Sequence, residues 1–281
     1  MRDQAQSDND AYVREVHDKG LAFDLRTMSR RQMLATIGGA GAFALVGGSL
    51  LDAKTAGAAP ADVEVAACLA EVESETAGPF PADGSNGPNV RTISGIVRSD
   101  IRSSFGGYVG TALGVPLQFS IVVQDLSCNP LPGAAVYVWH CDRGGNYSLY
   151  SSSVTNQNYL RGIQVADATG KVTFTSIFPA CYSGRWPHIH FEVYKTLANA
   201  TSGSGPIAKT SQIALPKAID DVVFQQAGYE SSVVNMRRIT LATDMVFGDD
   251  LAAREMATVT GSVASGYVAT LTASVNPNAT A

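Results

Sequence analysis

The run His188-Ile-His-Phe-Glu-Val-Tyr194 constrains this chain more than any other, because apolar and polar residues alternate along it. A β-strand sends successive side chains to opposite faces, so His188 and His190 share one face while Ile189, Phe191 and Val193 form an apolar row on the other. Such a strand must bury its apolar row against a second layer. It then presents two imidazoles side by side on a rigid support, which is half of a metal site.

The rest of the chain carries similar signals. Residues 117–125, 134–141 and 171–177 are short runs rich in β-branched and aromatic types, and 256–263 and 266–275 flank Ser265-Gly266 as a hairpin. Gly, Pro, Asn and Asp turns bound them, with Asp167-Ala-Thr-Gly170 as one tight turn. Residues 61–77 are expected to form a short helix or an extended arm, and Pro81 to Pro88 and Thr201 to Gly205 are loop interruptions rather than linkers. Short strands at this spacing predict an all-β fold, a single β-sandwich with long active-site loops. With 281 residues and 45% hydrophobic content, a full core is affordable in one domain over 60–281. The formal net charge of −5 and the lack of a Lys/Arg cluster in this body argue against a nucleic-acid partner.

Residues 1–59 have a different character. Ser29-Arg30-Arg31 precedes an apolar, Gly-rich run from Met33 to Leu51 and then small residues around Ala58-Ala59. Paired arginines before a weakly hydrophobic run match a twin-arginine signal, with residues 1–28 as a polar extension. The expectation is a cleavable signal handled by the twin-arginine export machinery, and a mature protein that is secreted, cell-surface or periplasmic without stable membrane insertion. A membrane anchor is the competing reading, weakened by the glycines. Val65-Ala-Ala-Cys68 superficially resembles a lipoprotein box, yet charged residues separate it from the apolar run.

All four cysteines lie in the part expected to be exported, where disulfides persist. Cys128 and Cys141 stand at opposite ends of one predicted strand and cannot bridge without a sharp bend. Pairing of Cys68 with Cys128 and of Cys141 with Cys181 is favoured, the alternative being free thiols acting as small buried hydrophobes.

Two tyrosines in turn-rich segments could complete the imidazole site. Trp139-x-x-x-x-Gly-Gly-x-Tyr147, Pro179-x-x-Tyr182, Arg185-x-x-His188-Ile-His190-Phe191 and Ser211-Gln212-Ile213 follow one another along the chain, after Glu75-Thr-Ala-Gly-Pro-Phe80. This ordered pattern, spanning roughly residues 68–275, resembles the intradiol ring-cleavage dioxygenases, the catechol, hydroxyquinol and protocatechuate enzymes.

That resemblance implies one mononuclear non-haem Fe(III) held by Tyr147, Tyr182, His188 and His190. Phenolate is a hard anionic donor suited to ferric iron, unlike the two-histidine, one-carboxylate set of ferrous oxygenases. It also implies that Tyr182 is the phenolate that leaves when a small aromatic diol binds, that Arg185 faces the ring, and that Gln212 hydrogen-bonds near it. The implied reaction with O2 yields a cis,cis-muconate-type diacid. Thr196 to Gly205 stands inserted between Gln212 and the histidines, and the six-residue step from Tyr182 to His188 predicts an open rim. The helical dimerisation segment of cytosolic members has no evident counterpart, which points to the secreted subgroup and leaves oligomeric state and exact catechol open. His140 is expected to be structural.

Two other readings compete. A non-catalytic, transthyretin-like binding module explains strands and export but leaves the ligand set as coincidence. A cupin-like oxygenase would need further ligands downstream, and no histidine follows His190.

Overall fold

Eight strands carry the chain: β1 (Pro116–Gln124), β2 (Ala135–Trp139), β3 (Arg161–Val165), β4 (Lys171–Ile177), β5 (His188–Tyr194), β6 (Lys209–Ala214), β7 (Thr258–Ser262) and β8 (Gly266–Ser274). They come from a computed structural model that describes residues 68–280. The export segment over 1–59 lies outside the described residues. Among those described, no helix is long and apolar enough to cross a membrane.

The strands form two four-stranded sheets, ordered β4-β1-β8-β7 and β3-β2-β5-β6. All neighbours are antiparallel except β1 and β8, which run parallel. Leu117, Phe119, Ile121 and Val123 of the first sheet pack against Val136, Val138, Ile189, Phe191 and Val193 of the second in one buried cluster. The predicted sandwich is therefore present, and its core is the apolar row of β5 and the equivalent rows of its neighbours.

Two strands escaped the sequence analysis. Both β3 and β6 are polar, Arg-Gly-Ile-Gln-Val and Lys-Thr-Ser-Gln-Ile-Ala, and both lie at edges of the second sheet, largely buried, with Arg161 and Lys209 paired to the N-terminal arm. Short helices α1 (Leu197–Thr201), α2 (Lys217–Val223) and α3 (Glu230–Met236) also went unpredicted. The insertion before Gln212 contains α1, begun by Thr196 Oγ1 accepting from the Asn199 N–H. Its chain then returns as β6, so the insertion leaves the register intact. From residue 68 the expected helix or arm is an extended arm, tied to the sheets by Val72 N–H to Ser274 O and Glu75 N–H to Thr210 O, both 2.9 Å.

The favoured disulfide pairing holds in one half. Cys68 and Cys128 are bonded, which also removes Cys68 as a lipid attachment point. The expected Cys141–Cys181 bond is absent: both are free and buried, in the alternative role of small hydrophobes. Burial raises the Cys141 thiol well above its usual range and the Cys181 thiol to about 12, so both stay protonated.

Candidate metal centre

The outer face of the second sheet is covered by loops, and the site lies between them. Tyr137, Trp139, Tyr147, Tyr150 and Tyr194 form a second buried cluster there. Buried Arg161, on β3, ties this layer together: its guanidinium donates to Phe80 O (2.9 Å), Pro81 O (3.0 Å) and Ser148 O (3.0 Å). One side chain thus joins the N-terminal arm to the loop carrying Tyr147.

Each donor is placed by local structure. His188 and His190 stand on β5 between β2 and β6, and the Trp139 ring stacks on His190 at 4.8 Å. Asp142 Oδ1 accepts from the Gly144 and Asn146 N–H groups, shaping the turn that delivers Tyr147. Gly145, at φ +86°, lies against Tyr182, where an added Cβ would come within 3.1 Å of the tyrosine Cβ. Ser232 and Asn235 of α3 bond the backbone of Cys181 and so set Tyr182.

The four predicted ligands come together. Tyr147 Oη lies 3.1 Å from His190 Nε2 and 3.3 Å from His188 Nε2, Tyr182 Oη lies 3.3 Å from His188 Nε2, and the two Nε2 atoms are 3.1 Å apart. Such separations are those of donors about 2 Å from one shared ion. The protonation pattern agrees. His188 Nδ1 faces Trp186 O at 2.5 Å and must carry the proton to donate, which leaves an Nε2 lone pair facing the cluster. Burial, then neighbouring Arg185, pushes the His188 pKa well down; burial, then His188, does the same for His190. Burial and Tyr182 hold the Tyr147 phenol well above its usual range. Converging lone pairs in a dry pocket repel unless a cation joins them, so the donor set fits the ferric ion that the resemblance implies. Tyr182 is partly exposed, whereas the other three are nearly fully buried.

Arg185 is buried, not a surface ion-pairing residue. Its Nε donates to Asp244 Oδ2 (3.1 Å) and its Nη2 to Gln212 Oε1 (2.6 Å), while Gln212 Nε2 donates to Thr76 O (2.9 Å). Burial works against the guanidinium's charge, but Tyr182 and Asp244 outweigh it and keep its pKa raised. In the β5–β6 register Gln212 stands opposite His190, beside the four candidate donors. Gly78 brings the arm over His190, where a Cβ would stand 3.3 Å from Cε1. His140 stays apart and structural, its Nδ1 2.8 Å from Cys141 O and its Nε2 2.7 Å from Ser176 Oγ. A surface recess of about 410 Å³ beside Arg143 and Tyr159 includes none of the four donors. Sequence reasoning missed Asp244, Arg161 and the backbone of Thr76; Asp244 lies 59 residues beyond Arg185, in a segment with no motif signal.

Known proteins resemble parts of this chain. Residues 95–198 match a family model described as Dioxygenase. A chlorocatechol 1,2-dioxygenase from Rhodococcus opacus is 39% identical over 69 residues, 25% of this chain and 27% of that protein. A catechol 1,2-dioxygenase from Pseudomonas sp. (strain EST1001) is 40% identical over 60 residues, 21% of this chain and 20% of that protein. The matched segments thus span about a quarter of these curated relatives. An intradiol ring-cleavage dioxygenase from Tetranychus urticae superposes with a TM-score of 0.59 at 25% identity, over 76% of this chain and 98% of that one. The chain is thus similar, over part of its length, to catechol-cleaving dioxygenases, and it shares the fold of an intradiol ring-cleavage dioxygenase.

Proposed function

We propose that this protein cleaves a catechol-type diol between its two hydroxyl-bearing carbons, using Fe(III) and O2, to give a cis,cis-muconate-type diacid that retains both oxygen atoms of O2. The observation that carries the reading is the convergence of Tyr147, Tyr182, His188 and His190 at 3.1–3.3 Å. When bound, ferric iron supplies a Lewis-acidic, redox-active centre for the diol and O2.

The residues divide the remaining work. The imidazoles, held neutral by burial, offer lone pairs without first losing a proton. Both phenols must release protons on loading, so iron uptake lowers the pH of a weakly buffered solution. Tyr182, being partly exposed, is the donor that an incoming diol would reach first, and its phenolate oxygen would be the base that takes one diol proton. Arg185 keeps a permanent positive charge where negative density builds on the ring. Gln212 accepts from that arginine and donates to Thr76 O, which ties the arm to the site.

Residues 1–59 are proposed to direct twin-arginine export; a reporter fused to them should be exported, and Arg30→Lys with Arg31→Lys should block it. For the site, purified mature protein loaded with ferric iron should show a broad visible tyrosinate-to-iron charge-transfer band that shifts on adding catechol under nitrogen. Tyr147→Phe should bleach or displace that band, and His188→Ala should lose the iron. A protein that stays colourless after reconstitution favours the non-catalytic binding-module reading instead.

A further inference from the structure

Asp244 is 2% exposed and bonds four N–H groups at once. Its Oδ1 accepts from Val246 N–H (2.8 Å) and Phe247 N–H (3.0 Å), both in its own turn. Its Oδ2 accepts from Trp186 N–H (2.6 Å) and Arg185 Nε (3.1 Å), both in the segment that leads into β5. One carboxylate thereby couples the C-terminal turn to the loop just before His188. Gln212 takes the Nη2 of the same guanidinium, so the Nε–Nη2 edge of Arg185 is fully engaged. Phe247, anchored by Asp244, lies under the guanidinium with Cζ 5.8 Å from its ring centre, and its ring meets that of His188 edge-on at 6.5 Å.

We propose that Asp244 is a positioning residue for catalysis: it holds the Nε–Nη2 edge of Arg185 so that the remaining Nη1 side is the one offered to the substrate ring. The inference rests on the proposed ring-facing role of Arg185. A fixed fork matters because guanidinium donors are rigidly disposed, and misplacement of a positioned group by about 1 Å can cost on the order of a hundredfold in rate. Only a carboxylate suits the position. All four partners are donors, so Asp244→Asn must set its amide N–H₂ against one pair of N–H groups while leaving the side-chain shape unchanged.

The test is a double-mutant cycle on iron-loaded protein, comparing wild type, Asp244→Asn, Arg185→Gln and the double variant. Iron content, catechol affinity from the spectral shift under nitrogen, and kcat/KM are the readouts. Asp244→Asn should keep its iron and resting spectrum, yet lose roughly ten- to a hundredfold in catechol affinity or kcat/KM, the range typical of a lost supporting partner. In the Arg185→Gln background it should add nothing further. Wild-type binding and turnover by Asp244→Asn, or losses that multiply those of Arg185→Gln, would overturn the assignment while leaving the site reading intact. Arg185→Gln indistinguishable from wild type would remove the ring-facing role, and the assignment with it. Should Asp244→Asn fail to fold, Asp244→Glu retains the charge one methylene out of place; weakened catechol affinity with an unchanged resting band supports the proposal, and unchanged affinity refutes it.

Discussion

Tautomer and contact decide the chemistry of His190 and His188. The proton of His188 is drawn to Nδ1 by Trp186 O, while His190 is held by its stack on Trp139 and by the arm above it. Gly78→Ala tests that arm: the new Cβ meets His190 Cε1, and φ +65° is strained for any residue with a side chain. Iron affinity, measured by chelator competition, should fall roughly tenfold or more, the cost of disturbing the support of a ligand. The histidines were legible because both lie on one strand, where alternation alone aligns them. Tyr147 and Tyr182 were recognisable only through the spacing of their motifs, since a tyrosine in a turn has no signal of its own. Asp244 was invisible, because its partners Arg185 and Trp186 reach it only through the fold.

Among elements, β5 shows how one strand serves two layers. Phe191, next to His190 in the strand, faces the sandwich core, so Phe191→Ala should lower unfolding stability by about 3–5 kcal/mol in a denaturant titration. The N-terminal arm depends on a different device. The Cys68–Cys128 disulfide closes a separation of 60 residues and pins the arm that supplies Thr76, Gly78 and Phe80. Loop-closure entropy puts its contribution at about 4 kcal/mol, so Cys128→Ser should lower the thermal midpoint, and reductant should then have no further effect. Strands β1, β4 and β8 were readable because burial on one face writes period-two alternation into the chain, and β2, β5 and β7 by their β-branched and aromatic residues between turn signals. Edge strands β3 and β6 carry no such pattern: buried Arg161 and Lys209 answer to partners on other elements.

Over the whole molecule, buried ionisable groups tie stability to pH. Asp220 on α2 is buried with both carboxylate oxygens unpaired, and desolvation holds its pKa well above the usual carboxylate range. The folded state therefore keeps a proton that the unfolded chain releases above about pH 4, so this residue costs stability as pH rises. Asp220→Asn should raise the thermal midpoint at about pH 8 and lose that advantage near about pH 4. His140 works in the other direction. Burial depresses it to about 4, so the unfolded chain takes up a proton below about pH 6.5 that the folded state refuses, and stability from this group declines with acid.

By itself, the sequence determined the two-faced strands, the sandwich they demand, and the pair of imidazoles on β5, because period-two alternation and turn residues act over a few neighbours. Its ordered motifs also singled out Tyr147 and Tyr182. Only the tertiary structure decided which thiols pair, that polar edge strands complete the second sheet, and that Asp244 and Gln212 clamp Arg185. Those outcomes depend on distances between residues remote in the chain, and such distances exist only once the layers have packed.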